Sequence, residues 1–368
     1  MTLDKLTLYD FRNYKEFSCD FAPGVNLIIG NNAQGKTNLL EAVTYLSTGK
    51  SFRTRKEEEM IRFEGEFSEL RAELSLEERK QELRALLFRG RKKRELYIGG
   101  VKQKNSAALH GIMPTVLFCP EDLLILKSGS AGRRKLIDDA LCQLRPAYES
   151  ALTEYQKLLE HKSRILKDYR EIPSLLEALP EFNERMAVCG AIMISFRAKY
   201  LRELQKSAAA FHSEFSGGKE NLSLNYQTVS TVEDPFAAKE EIYQKLKAHQ
   251  EAHYRAELES GQCLSGPHKD DFSLCLQDLP IKSYGSQGQV RTATISLKLA
   301  ERELILQDTG ENPLLLLDDV LSELDDGRQD FLLNRIHSGQ VFITCCEKER
   351  MTEIGKVISI ENGAIAPL

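Results

Sequence analysis

The run Gly30-Asn31-Asn32-Ala33-Gln34-Gly35-Lys36-Thr37 places glycines, a lysine and a threonine at the spacing Gly-x-x-x-x-Gly-Lys-[Ser/Thr]. Glycines at positions 30 and 35 let the backbone curl so that successive N–H groups point at one phosphate. A helix starting there adds the positive end of its dipole. The Lys36 ammonium is then expected on the β- and γ-phosphates of a nucleotide such as ATP, and the Thr37 hydroxyl on Mg²⁺. A second run, Pro313-Leu314-Leu315-Leu316-Leu317-Asp318-Asp319, reads as a central parallel strand ending in carboxylates. Asp318 is expected to hold Mg²⁺ through water, and Asp319 to orient the attacking water. Each run alone could be a chance glycine loop or a buried strand that ends in polar residues; together they describe two halves of one phosphate site.

Two more groups of residues offer phosphate chemistry. Ser286, Gly288 and Gln289 stand just before a helical pattern running from about Val290 to Leu306. A serine hydroxyl with backbone N–H groups at a helix start can bind a phosphate, although a plain helix cap explains the run equally well. Between Arg79 and Lys104 lie ten Lys or Arg residues and two acids, Glu82 and Glu95. The cluster Arg89, Arg91, Lys92, Lys93 and Arg94 is a candidate DNA-binding hairpin, which would give affinity without sequence readout. On composition alone, a solvated charged hairpin is the favoured reading. Arg133, Arg134 and Lys135 form a smaller basic cluster.

The elements that must position these residues show in the apolar periodicity. Leu6 and Leu8 alternate with polar neighbours, Val25 to Ile29 is a second strand, and the helical spacing of Leu39, Leu40 and Val43 follows the glycine loop. After Val116-Leu117-Phe118 the character becomes helical. Leu152, Tyr155, Leu159, Leu166 and Tyr169 form a stripe that Lys162 interrupts, and a second pattern from Val188 to Phe215 stops at Gly217-Gly218. Strands return after Gly266-Pro267-His268. The expected class is therefore α/β, with a head at 1–125 and 262–368 and a helical arm inserted at 126–261.

Composition narrows the classes. With 368 residues, 42% hydrophobic and 29% charged, the chain can bury a sizeable core and is not disordered. No apolar run reaches the roughly 18 residues of a membrane span, and the charged start is unlike an export signal, so the expected location is cytoplasmic. Eight scattered cysteines without a CxxC pair suit reduced, core-filling thiols. A net charge of -5 gives no global pull toward nucleic acid, so any such surface must be local.

The serine-glycine-glutamine run at 286–289 resembles the signature motif of ATP-binding-cassette (ABC) ATPases, and Ser322-Glu323-Leu324-Asp325 resembles the D-loop that accompanies it. Together with Phe11-Arg12-Asn13-Tyr14, Phe118-Cys119-Pro120-Glu121-Asp122-Leu123 and Ser265-Gly266-Pro267-His268-Lys269-Asp270-Asp271, these blocks closely resemble the RecF family of bacterial recombination mediators over essentially the whole chain. The resemblance implies an ABC-type P-loop ATPase head related to Rad50 and SMC proteins, with an inserted arm. It implies an ATP-dependent homodimer in which the signature of one subunit clamps the γ-phosphate held by the other. It further implies binding to single- and double-stranded DNA at gaps or junctions, and work with RecO and RecR to help load RecA in repair, replication restart and the SOS response. Against ABC transport ATPases, Asp319 replaces a usual glutamate, Thr344 stands where a histidine follows the next strand, and Lys269 replaces the family's usual arginine. The first two departures suggest slow hydrolysis, a switch without nuclease or helicase activity. The competing class, an ATPase subunit of a membrane transporter, shares the nucleotide chemistry but not the long helical insertion. A condensin-like structural protein would need much longer arms.

Overall fold

The computed structural model describes residues 1–76, 79–90, 94–336, 338–346 and 355–367. In chain order, the first part carries β1 (Thr2–Phe11), β2 (Tyr14–Asp20), β3 (Val25–Ile29), α1 (Lys36–Thr48), β4 (Phe67–Ser75), β5 (Lys80–Phe88), β6 (Glu95–Ile98), β7 (Val101–Gln103) and β8 (Thr115–Phe118). Then come α2 (Ser130–Leu144), α3 (Pro146–Asp168), α4 (Leu179–Phe215), β9 (Leu222–Gln227), α5 (Lys239–Ser260), β10 (Asp271–Leu276), β11 (Leu279–Pro280) and the short α6 (Ile281–Tyr284). The last part holds α7 (Gln287–Thr309), β12 (Leu314–Asp318), α8 (Asp326–Leu333), β13 (Val341–Cys345), β14 (Lys356–Glu361) and β15 (Ala364–Ala366).

Two compact units emerge, Met1–Leu124 with Leu297–Leu368, and Ile125–Ser296. The first unit, the head, contains two six-stranded sheets. One is antiparallel, in the order β2-β1-β4-β5-β6-β7; the other, β15-β14-β3-β13-β12-β8, is parallel except at the β14–β15 edge. The alternation read from Leu6 and Leu8 holds, and a register shift between Leu3 and Lys5 lets Leu3 join them in the core despite its odd spacing. Both sheets and α1 share that core, through Leu6, Leu70, Leu39, Leu40, Leu316 and Phe342 among others. Strand β12 is buried at every position, as its unbroken leucines require.

The second unit, the arm, differs from the sequence expectation at its end. Strand β9 lies inside the segment expected to be helical, and it pairs antiparallel with β10, Asp271 opposite Gln227 through Leu276 opposite Leu222. That pairing ties residues beyond 262 to the arm, so the chain returns to the head within α7. The stripe of α3 is not interrupted either: Lys162 faces inward with Tyr155, Leu158 and Ile165, its ammonium 2.7 Å from Glu257 Oε2. All eight cysteines are free thiols, though Cys346 is exposed rather than core-filling. Among the described residues no helix is long and apolar enough to cross a membrane.

Candidate nucleotide site and basic surfaces

The glycine loop joins β3 to α1, and its two glycines answer to different neighbours. At Gly30 a Cβ atom would fall 2.4 Å from the Ile360 carbonyl oxygen of β14. At Gly35, which caps α1 with φ 117°, it would fall 2.7 Å from Asn13 Nδ2 and 2.9 Å from the Tyr14 hydroxyl. The β1–β2 turn therefore grips the loop: Asn13 Nδ2 donates to Gln34 O at 2.8 Å, and Tyr14 OH to Gly35 O at 2.9 Å. Asn31, Asn32 and Ala33 remain exposed at its crest. The buried Lys36 ammonium lies across the loop, donating to Gly30 O at 2.6 Å and Asn31 O at 3.0 Å, with Cys346 Sγ at 3.4 Å.

Parallel pairing of β12 with β13 and β8 carries the strand-end carboxylates to the same sheet edge as the loop. Thr37 Oγ1 donates to Asp318 Oδ1 at 3.0 Å, and Thr344 Oγ1 donates to the same oxygen at 2.9 Å. Burial pushes the Asp318 carboxyl above its ordinary range against these two hydrogen bonds, and the charges of Asp319 and Glu121 push the same way. A hydroxyl and a carboxylate converging under surplus negative charge form an oxygen donor set that suits Mg²⁺, which keeps most of its waters. Asp319 adopts a left-handed φ of 53°, and its backbone N–H donates to Thr344 Oγ1 at 2.9 Å. One hydroxyl thus fixes both aspartates. Thr344 itself lies within β13, opposite Asp318; Cys346 is the first residue past the strand, which corrects the placement of Thr344 after it.

Sequence reasoning assigned no role to a second layer of residues around the loop. Arg12, at φ 52°, holds the fully buried Glu41 of α1 through two bonds of 2.8 and 2.7 Å, and Ser51 and Arg53 approach the same carboxylate. Glu41 lies one turn beyond Lys36, so the network fixes the helix that presents the lysine. Nothing local in the sequence pairs residues 12 and 41; Arg12 is marked by the break between two alternating strands and by its place in the Phe11-Arg12-Asn13-Tyr14 block.

The remaining candidates divide. Ser286 and Gln289 form a reciprocal cap at the start of α7, Ser286 N donating to Gln289 Oε1 at 2.9 Å and Gln289 N to Ser286 Oγ at 3.2 Å. In the basic hairpin, Arg94 is spent internally on Gly49 O at 2.6 Å, Tyr45 OH and Glu57, where it secures the end of α1. Arg89 is exposed but donates to Gly65 O at 3.0 Å and Arg62 O at 3.1 Å. Arg91, Lys92 and Lys93 lie outside the described residues.

A model of the RecF/RecN/SMC N-terminal domain matches residues 2–364. The DNA replication and repair protein RecF of Acetivibrio thermocellus is 37% identical over 352 residues, spanning 95% of this chain and 94% of that one. Its counterpart from Clostridium acetobutylicum is 36% identical over 371 residues, spanning 100% and 99%. A solved structure of the recombination mediator protein RecF with ATPrS, from the RecFOR pathway, aligns with a TM-score of 0.93 at 34% identity, covering 100% of this chain and 98% of that one. The Smc head domain of Pyrococcus furiosus shares the fold alone, with a TM-score of 0.56 at 16% identity. Full-length identity, the head fold and the glycine loop agree: the chain belongs to the RecF family of DNA replication and repair proteins, built on an ABC- and SMC-like ATPase head.

Proposed function

We propose that the chain is an ATP-dependent DNA-binding protein of recombinational repair and replication restart. It dimerises on ATP as a clamp on gapped DNA and works in the cytoplasm with RecO and RecR to help load RecA. The observation that carries the nucleotide reading is the convergence of Thr37 and Asp318 at 3.0 Å beside the glycine loop. When bound, Mg²⁺ neutralises charge on the β- and γ-phosphates. Lys36 exchanges its own loop carbonyls for phosphate oxygens, and the loop N–H groups hold those oxygens in place. Asp319, fixed by Thr344, orients a water molecule toward the γ-phosphate. Its carboxylate is one methylene shorter than a glutamate, and a threonine hydroxyl rather than an imidazole lies at hand, so hydrolysis is slow and times release of the clamp. The solved relative with ATPrS in the RecFOR pathway supports ATP as ligand and RecO and RecR as partners.

Ser286, Gly288 and Gln289 serve the partner subunit's nucleotide in this reading. The test is size-exclusion of the purified protein with and without ATP and gapped DNA. The parent shifts to a dimer only with ATP. Ser286→Arg binds ATP as the parent does yet stays monomeric and loses ATP-stimulated DNA binding. Ser286→Asn preserves the helix cap and separates lost capping, worth about 1 kcal/mol, from a lost phosphate contact. An ATP-induced dimer of Ser286→Arg sinks the clamp.

A further inference from the structure

The arm contains a turn, Cys263 to Asp271, whose side chains are almost all turned inward. Leu264 N donates to Glu257 Oε1 at 2.7 Å, and that carboxylate also holds the buried Lys162. Ser265 Oγ lies 2.7 Å from His249 Nδ1. Gly266, at φ 124°, runs so close to α3 that a Cβ would sit 2.2 Å from the Tyr155 hydroxyl. The Pro267 carbonyl accepts from Arg197 NH1 at 2.8 Å, and His268 Nδ1 lies 2.6 Å from Tyr155 OH while its Nε2 meets Cys263 O at 3.1 Å. Asp270 is held by Arg197 and by Tyr226, and Asp271 by both arms of Arg133 at 2.8 and 2.7 Å.

Lys269 is the exception. Its backbone N–H closes the turn on Gly266 O at 3.0 Å, but its side chain is exposed and makes no hydrogen bond or ion pair among the described residues. Beside it, Arg134 spends one nitrogen on Asp270 O at 2.7 Å. The carboxylates in and around the turn are already committed: Asp270 to Arg197, Asp271 to Arg133 and, on α5, Glu257 to Lys162. His268 adds no charge of its own, because burial pushes it down to about 4 and the cations Lys269, Lys162 and Arg134 add to that depression. Lys269 on the turn and Arg134 on α2 beside it are thus the cations left without an ion-pair partner among the described residues.

We propose that Lys269 and Arg134 form a phosphate-binding pair that takes the phosphodiester backbone of DNA, a contact on the arm separate from the basic hairpin of the head. A point-charge ammonium on a densely hydrogen-bonded turn and a guanidinium on the helix beside it suit one monoanionic phosphodiester oxygen pair, whereas a triphosphate calls for a cradle of N–H groups and a metal, which the glycine loop offers. The inference rests on the DNA-binding reading above.

The experiment measures binding of the full chain, with ATP, to fluorescein-labelled gapped DNA across a salt series, together with binding of a fluorescent ATP analogue. Lys269→Ala weakens DNA binding about three- to tenfold and makes the log–log salt slope shallower by about 0.9, one phosphate contact. Lys269→Glu weakens it further, and Lys269→Arg restores it. Nucleotide affinity and thermal stability stay at the parent's values, since Lys269 holds nothing in the fold. A parental slope and affinity in Lys269→Ala and Lys269→Glu overturn the inference while leaving the DNA-binding reading intact. A loss confined to the nucleotide assigns the pair to a nucleotide phosphate and overturns its assignment to DNA. Failure of the parent to bind DNA overturns both.

Discussion

The glycine loop of the head and the 263–271 turn of the arm are both dense in polar residues, yet they use them in opposite ways. The loop leaves Asn31, Asn32 and Ala33 exposed and points Lys36 at replaceable carbonyl partners. The turn instead meets most of its donors and acceptors internally, with Arg197 buried at 2% exposure between Asp138 and Asp270 and the buried Asp270 Oδ1 left without a hydrogen bond. A ligand site keeps its hydrogen-bonding capacity exchangeable, whereas a structural site closes its network and shows only what is left over. Substituting methionine for the cation in each region separates the two cases.

The larger effect is expected in the arm. Arg197 donates to both Asp138 oxygens at 2.9 and 3.0 Å, to the Tyr148 hydroxyl at 3.0 Å, to Pro267 O and to Asp270. Arg197→Met leaves the buried Asp270 and the partly buried Asp138 without their counter-charge and costs about 3–5 kcal/mol of unfolding free energy, measured by urea denaturation. Burial already raises Asp270 to about 6 against the pull of Arg197 and Tyr226. Without the guanidinium it rises further. A carboxyl whose folded pKa lies above its unfolded value stabilises while protonated and loses that contribution as pH climbs through the folded pKa. The deficit of the variant is therefore smaller at pH 5 than at pH 8; a deficit that grows in acid contradicts the assignment.

Lys36→Met comes next, and its effect falls on ligand rather than fold. The ammonium's partners are loop carbonyls near solvent, so unfolding free energy changes by less than about 1 kcal/mol. ATP hydrolysis falls at least about 100-fold, equivalent to about 3 kcal/mol. Parental hydrolysis in the methionine variant would falsify the phosphate site.

The same contrast explains what the sequence made legible. Gly30 to Thr37 could be read because phosphate binding by consecutive N–H groups needs a fixed local spacing, and the leucines of β12 because a doubly covered strand has no polar face. Most of the arm turn's partners come from other elements: Arg133, Tyr155, Lys162, Arg197 and Tyr226 come from α2, α3, α4 and β9. No periodicity pairs them. Lys162 looked like a fault in a helical stripe because its counter-charge, Glu257, stands on another helix. Strand β9 escaped notice since its six residues, LSLNYQ, alternate too briefly to stand out after a long helix, and only β10 makes it a strand. In the head, the basic hairpin looked uniform in composition, yet Arg94 proves to be a bracket for α1. Charge runs do not reveal which members already have partners.

Thr344 tests whether the head also depends on a closed network beneath its open loop. Its hydroxyl donates to Asp318 and accepts from the N–H of Asp319, and these two bonds link the expected Mg²⁺ carboxylate to the expected water-orienting one. Thr344→Val keeps the volume and the β-branched shape that suit a strand but removes both bonds. The Asp319 N–H then loses its partner while its backbone still has to hold φ at 53°, and Asp318 loses one of the two hydrogen bonds that oppose its upward shift. Losing the bonds costs about 1–2 kcal/mol of stability. ATP binding stays close to the parent's, because neither the loop nor Lys36 touches this hydroxyl, while the hydrolysis rate drops about tenfold, about 1.4 kcal/mol in the barrier. Thr344→Ser restores the hydroxyl and with it the rate, which a merely packing role for the threonine methyl does not allow. If valine hydrolyses ATP at the parental rate, the two aspartates are positioned independently, and the glycine loop alone accounts for the chemistry of the head.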